Sequence, residues 1–101
     1  MISLIYNELL NKYNEILIST SRGFDTEYEF LESWVPSSDL TQSISDLINS
    51  AKDYNIYELE IILLKEEISE LNFASLKEKF SHFATILMQE NKIVMSAKNN
   101  E

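Results

Sequence analysis

Residues 55–70 read NIYELEIILLKEEISE. The fold class turns on how this stretch is taken. Its centre, Ile61-Ile62-Leu63-Leu64, is compatible with a strand in isolation. With its flanks, the pattern changes. Ile56, Leu59, Ile62, Leu63 and Ile68 recur at helical spacing, and the surrounding Glu and Lys favour helix. Asn55 with Glu58 three residues later supplies a cap and its reciprocal partner. The stretch is therefore expected to be a helix.

Working outward, the same period continues on both sides. Leu40, Ile44, Leu47, Ile48 and Ala51 form an apolar stripe behind a cap at Asp39, with Gln42 as its box partner. Residues 2–18 carry Ile2, Ile5, Tyr6, Leu9, Tyr13, Ile16 and Leu17 at helical spacing, and Gly23 stops the segment. Thr26 and Glu29 open a short helix that Pro36 ends, since the residue before proline avoids helical geometry. A last helix is expected from Asn72 to Met95, with Phe73, Leu76, Phe80, Phe83, Ala84 and Leu87 as its stripe. The whole reads as all-α, a compact bundle of four to five helices forming a single helical domain over residues 1–101. One Gly and one Pro in the chain point the same way, because sheets joined by tight hairpins need more turn residues.

Composition limits the function classes. There are no cysteines, so disulfides, thiol chemistry and cysteine-based zinc sites are excluded. The opening MISLIYNELLNKYNE lacks a basic leader, and the longest aliphatic run is Ile61 to Leu64, too short to span a membrane. A soluble, cytoplasmic protein is expected. Seventeen acids stand against eight bases, a net charge of −9. Between Asp25 and Glu70 the count is twelve acids and two bases, so the middle of the chain carries the imbalance. Such a surface repels nucleic-acid phosphates and complements a basic protein. It also serves solubility alone.

Residues 23–39, GFDTEYEFLESWVPSSD, hold the single Gly, the single Trp and the single Pro together with five acids. On a helical wheel Tyr28, Leu31 and Val35 share one face. Phe30 and Trp34 lie on another, with Glu27, Glu29 and Glu32 around them. Sandwiching between two helices would bury that aromatic pair. Exposure would make it an anchor in an acidic ring, the composition of a binding hot spot. A second candidate surface is Asp53, Tyr54, Tyr57 and Glu58. Here tyrosines sit beside acids at a helix junction, where one could equally be a packing plug.

Thr26-Glu27-Tyr28-Glu29-Phe30-Leu31-Glu32 resembles a stretch near the start of the nuclease-bacteriocin immunity proteins. Those are small acidic four-helix proteins that block a basic nuclease toxin. That family also carries adjacent tyrosines followed by proline; the nearest counterpart here is Asp53-Tyr54-Asn55-Ile56-Tyr57. The resemblance implies an inhibitor in which Glu27, Glu29 and Glu32 contact the partner.

Chemistry beyond binding has little support. His82 lacks a Glu three residues earlier, where Lys79 stands, so the di-metal carboxylate spacing is missing. Glu66, Glu67 and Glu70 have no glycine turn to make a calcium loop. No glycine-rich phosphate loop exists. Ser81 next to His82 would point elsewhere on a helix. Neither enzyme activity nor a metal or cofactor is expected. The expected function is a small acidic inhibitor, an immunity protein that occludes the active site or substrate-binding surface of a basic bacterial toxin. Its contacts would come from Glu27, Glu29, Phe30, Glu32, Trp34, Asp53, Tyr54, Tyr57 and Glu58. The alternatives are a nucleic-acid mimic of the anti-restriction or anti-CRISPR type and a secretion-type adaptor or chaperone.

Overall fold

In the computed structural model the described residues are 2–10, 30, 31 and 33–98. The decisive stretch contains a strand. β2 spans Leu59–Ile62, and its residues alternate between buried and half-buried. The period of two continues into Leu63, so Leu59, Ile61 and Leu63 all face the core, each no more than 2% exposed. A helix would have put Ile61 on a different side from Leu59. The cue was present: Ile61-Ile62 is β-branched, and such residues suit a pleated, half-buried surface. Pairing on both sides then outweighs the helix propensity of the flanking Glu and Lys, which is only a few tenths of a kcal/mol per residue or about 0.7 at most.

β1 is Ile2–Ile5, with Ile2 and Leu4 buried and Ser3 and Ile5 outward. It runs parallel to β2, with Leu4 against Ile61. β2 pairs antiparallel with β4, Lys92–Ala97, with Ile61 against Ile93. β4 pairs antiparallel with β3, Ala84–Gln89. The four-stranded sheet has the order β1-β2-β4-β3. The expected all-α bundle of four to five helices is thus overturned by a mixed sheet packed with helices. The scarcity of glycine misled for a specific reason. A parallel β1–β2 pair needs a long crossover rather than a hairpin, and β3 and β4 are joined through Glu90 and Asn91, where Glu90 itself takes the positive φ of 55°.

Helices carry the rest of the core. Residues 6–10 are helical directly after β1, so the helix expected from Ile2 starts later; residues 11–18 lie outside the described part. α1, Leu40–Asp53, has the expected Asp39 cap, the Gln42 N–H donating to Asp39 Oδ1 at 3.2 Å, but not the expected box: the Gln42 side chain donates to Asp46 Oδ1 and the Asp39 N–H to Ser37 Oγ. Its stripe Ile44, Leu47, Ile48 and Ala51 is fully buried. α1 ends in a Schellman turn. Ile56 N–H donates to Ala51 O at 2.9 Å, and Asn55 N–H donates to Lys52 O at 2.9 Å. Asn55, expected to open a helix, instead closes one, in the left-handed region at φ 61°. α2, Lys65–Glu70, starts where the Leu64 N–H donates to Glu67 Oε1 at 2.7 Å. α3 is Phe73–Phe80, capped by Asn72, whose Oδ1 accepts from Ser75 N–H at 3.1 Å. The long last helix thus stops at Phe80. Ala84 and Leu87 belong to β3, and Phe83 to the turn before it.

The inward residues of the strands join Ile44, Leu47, Ile48, Leu76 and Phe80 in one contiguous core. Ser3, Ile5, Glu60, Ile62, Thr85, Leu87, Lys92 and Val94 form the other face of the sheet, which is exposed or half-buried. This is the division expected of a sheet with helices on one side.

Candidate interaction surface

β1 and β2 begin, β4 ends and β3 begins at the same end of the sheet, as the register dictates. Two connections meet there: residues 54–58, between α1 and β2, and the turn 81–83, between α3 and β3. The Schellman turn directs the first connection. It reverses the chain at Asn55 and drops Ile56, half-buried, against the core. Tyr54 is left 46% exposed, with Asp53 and Glu58 exposed beside it.

Tyr57 turns inward to an aromatic cluster. Its ring meets Phe83 edge-on at 6.0 Å. Phe83 in turn packs edge-on against Phe80 at 5.6 Å and His82 at 5.2 Å. The Lys52 ammonium sits 4.7 Å from the centre of the Phe83 ring, within the range of a cation–π contact. An open cleft of about 370 Å³ is lined by Tyr57, His82, Phe83, Ala97 and Lys98. A second of about 350 Å³ adjoins it across Tyr57 and Ala97, lined also by Ile2, Asn55, Ile56 and Glu58. Lys98 Nζ donates to Ser81 O at 3.0 Å, holding the end of β4 to the turn before β3. The surface is therefore two-signed: Glu58 lines one cleft and Lys98 the other, with Lys52 over Phe83 and Asp53 exposed at the end of α1. It suits protein contact, with exposed and half-exposed aromatics inside a charged rim.

The other sequence-derived candidates fall elsewhere. Phe30 and Trp34 are 0% and 1% exposed. Of the two arrangements the sequence allowed, the buried one is found, and the expected partner contacts Phe30 and Trp34 are corrected to core. Trp34 Nε1–H donates to Ser43 O at 2.9 Å, and its ring meets Tyr6 at 6.1 Å, so the tryptophan is both satisfied and enclosed. Leu31 is buried, but Val35, on the same face of the helical wheel, is 72% exposed, because residues 34–37 carry no helix. Glu27, Glu29 and Glu32 lie outside the described residues, as do most of the residues that carry the immunity-protein resemblance. The four-helix fold that the resemblance implied is not the fold found.

The acids in the described part do not form one block. Glu60 pairs with Lys92 at 3.4 Å on the open sheet face. Glu67 caps the Leu64 N–H. His82 is exposed, in a turn rather than on a helix. Among the described residues no group of three or more His, Cys, Asp or Glu could hold a metal ion, and no helix is long and apolar enough to cross a membrane. Burial pushes the Tyr6 hydroxyl above its usual range; the hydrogen bond to Ser43 opposes this and the Glu67 charge adds to it. That phenol is a core group rather than part of a cleft.

Comparison with protein-family models, with curated proteins and with solved structures finds no match to this chain. The class it can be given is that of its own architecture: a small mixed α/β protein whose helices cover one sheet face.

Proposed function

We propose that the protein is a cytoplasmic inhibitor of the immunity type, which binds a basic partner protein and occludes its active or substrate-binding surface. The reading rests on one observation above all. Asp53, Tyr54, Tyr57 and Glu58 come together at the connection between α1 and β2, where Tyr57 and Glu58 line open clefts and Asp53 and Tyr54 are exposed a few residues before them. The net charge of −9 supports it by favouring encounter with a basic surface. Tyr54 is the anchor, Asp53 and Glu58 steer, and Tyr57 forms the wall behind them. The segment with Glu27, Glu29 and Glu32 is a second contact in this reading.

The test begins with the full-length protein immobilised and exposed to native lysate at low and at high salt. A basic partner retained at low salt and released at high salt is expected. The triple substitution Asp53→Asn/Tyr54→Ala/Glu58→Gln should release it at low salt as well. Glu27→Gln/Glu29→Gln/Glu32→Gln tests the second contact separately. A partner held equally by both variants, or no basic partner at all, would overturn the reading.

A further inference from the structure

Among the described residues, the outer side of β3 lacks the usual protections of a sheet edge. β3 is an edge strand of six residues, ATILMQ. Edge strands are blunted in nature by charge, proline, bulges or shortness, and β3 has none of these. The opposite edge, β1, has only four residues. Every second residue of β3 turns its N–H and C=O away from β4, as an antiparallel ladder requires. Among the described residues nothing pairs with those groups. Leu87, midway along the strand, is 43% exposed.

We propose that β3 pairs antiparallel with β3 of a second copy of this chain, making one continuous eight-stranded sheet. Charge selects this occupant. With −9 on each copy, two chains repel except where acids are absent, and β3 itself holds no ionisable residue. Its two ends carry opposite character. His82 and Lys98, the latter bonded to Ser81 O, stand at its start, and Glu90 stands at its end, where the neighbouring Lys92 is held by Glu60 on the open face. An antiparallel two-fold pairing brings the start of each strand to the end of the other. With Ile86 opposite its own equivalent, Glu90 of the second copy faces His82 and approaches Lys98, twice over. A two-fold axis normal to the sheet keeps both helical layers on one side and pairs inward residues with inward ones. On the open face, Leu87 then lies opposite Thr85 of the second copy. The second copy's hairpin tip also arrives at the mouth of the cleft formed by Tyr57, His82, Phe83 and Lys98.

Sedimentation velocity of the full chain at about 100 μM, where a dimer of comparable dissociation constant is visible, should show a species of twice the 11.8 kDa monomer mass. Leu87→Lys, outward on β3, should weaken the dimer at least about tenfold with an unchanged circular dichroism spectrum. Val94→Lys, on the open face of β4 and away from the edge, should leave the dimer intact. Glu90→Lys and Lys98→Glu should each weaken the dimer, and the two together should restore it. A wild-type monomer at this concentration would overturn the proposal and leave the edge to an extended segment of some other protein. Dimers that survive Leu87→Lys but fail with Val94→Lys would also overturn it, placing the contact on the open sheet face.

Discussion

The Tyr6 hydroxyl donates to Ser43 Oγ at 2.6 Å, across 37 residues of sequence, inside the core. The same serine accepts the Ser37 N–H on its Oγ at 3.2 Å and the Trp34 indole N–H on its carbonyl at 2.9 Å. One small polar residue on α1 therefore ties together the chain after β1 and the 34–37 segment. It lets a tyrosine and a tryptophan be buried with their polar groups satisfied, and it holds the half-buried Ser37 N–H. Ser43→Ala should cost about 2 kcal/mol, because it strands both the phenol and the Ser37 N–H. Tyr6→Phe should cost about 1 kcal/mol, since Ser43 keeps its other donor. The double substitution should cost less than the sum of the two. Urea denaturation of the four proteins measures this; strict additivity would show that the two hydroxyls are not coupled.

Burial of Tyr6 also makes stability depend on alkaline pH. The folded-state pKa lies above the usual phenol value, which is about 10. Above that pH the unfolded chain loses the Tyr6 proton while the folded chain keeps it. The unfolded state then binds fewer protons, so stability falls as pH rises. The contribution is fully present below about pH 10 and is lost as pH climbs through the folded pKa. Melting curves between pH 8 and 11 should show this decline in the wild type and a shallower one in Tyr6→Phe. Equal slopes would mean that Tyr6 is not the group responsible.

Asn55 and Glu90 are the described non-glycine residues with positive φ, at 61° and 55°. They do different work at the same angle. Asn55 makes the left-handed turn that ends α1 and sends the chain towards β2. Asparagine tolerates that region, so Asn55→Gly should change stability little. A β-branched residue cannot relax there, and Asn55→Val should cost about 1–2 kcal/mol. Thermal unfolding decides it; a harmless valine would imply that the turn can rearrange.

Glu90 has no such excuse. A glutamate at positive φ is strained by about 1–2 kcal/mol, and glycine returns part of that gain as unfolded-state entropy. Glu90→Gly should therefore stabilise the monomer by about 0.5–1 kcal/mol. Denaturation at low protein concentration is the measurement, so that any loss of self-association does not mask it. A destabilised variant would show that the glutamate side chain makes a contact worth more than the strain.

The two turns also explain how much of the fold could be read in advance. The cap at Asp39 and the stripe Ile44-Leu47-Ile48-Ala51 were legible because α1 forms from local signals: a cap, a period and a buried face. Asn72 was legible as a helix start for the same reason. The sheet was not. β1 and β2 are four residues each, and their partners are more than 50 residues away along the chain or arrive from β4. Three apolar residues in a run of four look much like a slice of helix. The hairpin at Glu90-Asn91 lacked the glycine that would have announced it. At the candidate site, the grouping Asp53-Tyr54-Tyr57-Glu58 was visible as composition, while its meeting with His82, Phe83 and Lys98 depends on the unrecognised sheet. Phe30 and Trp34 went the other way. Their helical spacing allowed both a buried and an exposed pair, and only the Ser43 carbonyl, nine residues on from Trp34, shows why the indole can be enclosed.

The last prediction separates binding from stability within the aromatic group. Tyr54 is 46% exposed and its ring meets none of the other aromatics described, so Tyr54→Ala should leave the unfolding free energy within about 0.5 kcal/mol of wild type. Phe83 holds three aromatic neighbours and the Lys52 ammonium. It is only half-buried, so Phe83→Ala should cost about 2 kcal/mol, less than the 3–5 of a fully buried phenylalanine. If Tyr54 is the anchor, partner retention should fall with Tyr54→Ala while the melting temperature stays fixed. A Tyr54→Ala protein that melts early would instead make Tyr54 a packing element of the α1–β2 turn. The partner contact would then have to come from Asp53, Glu58 and the cleft behind them.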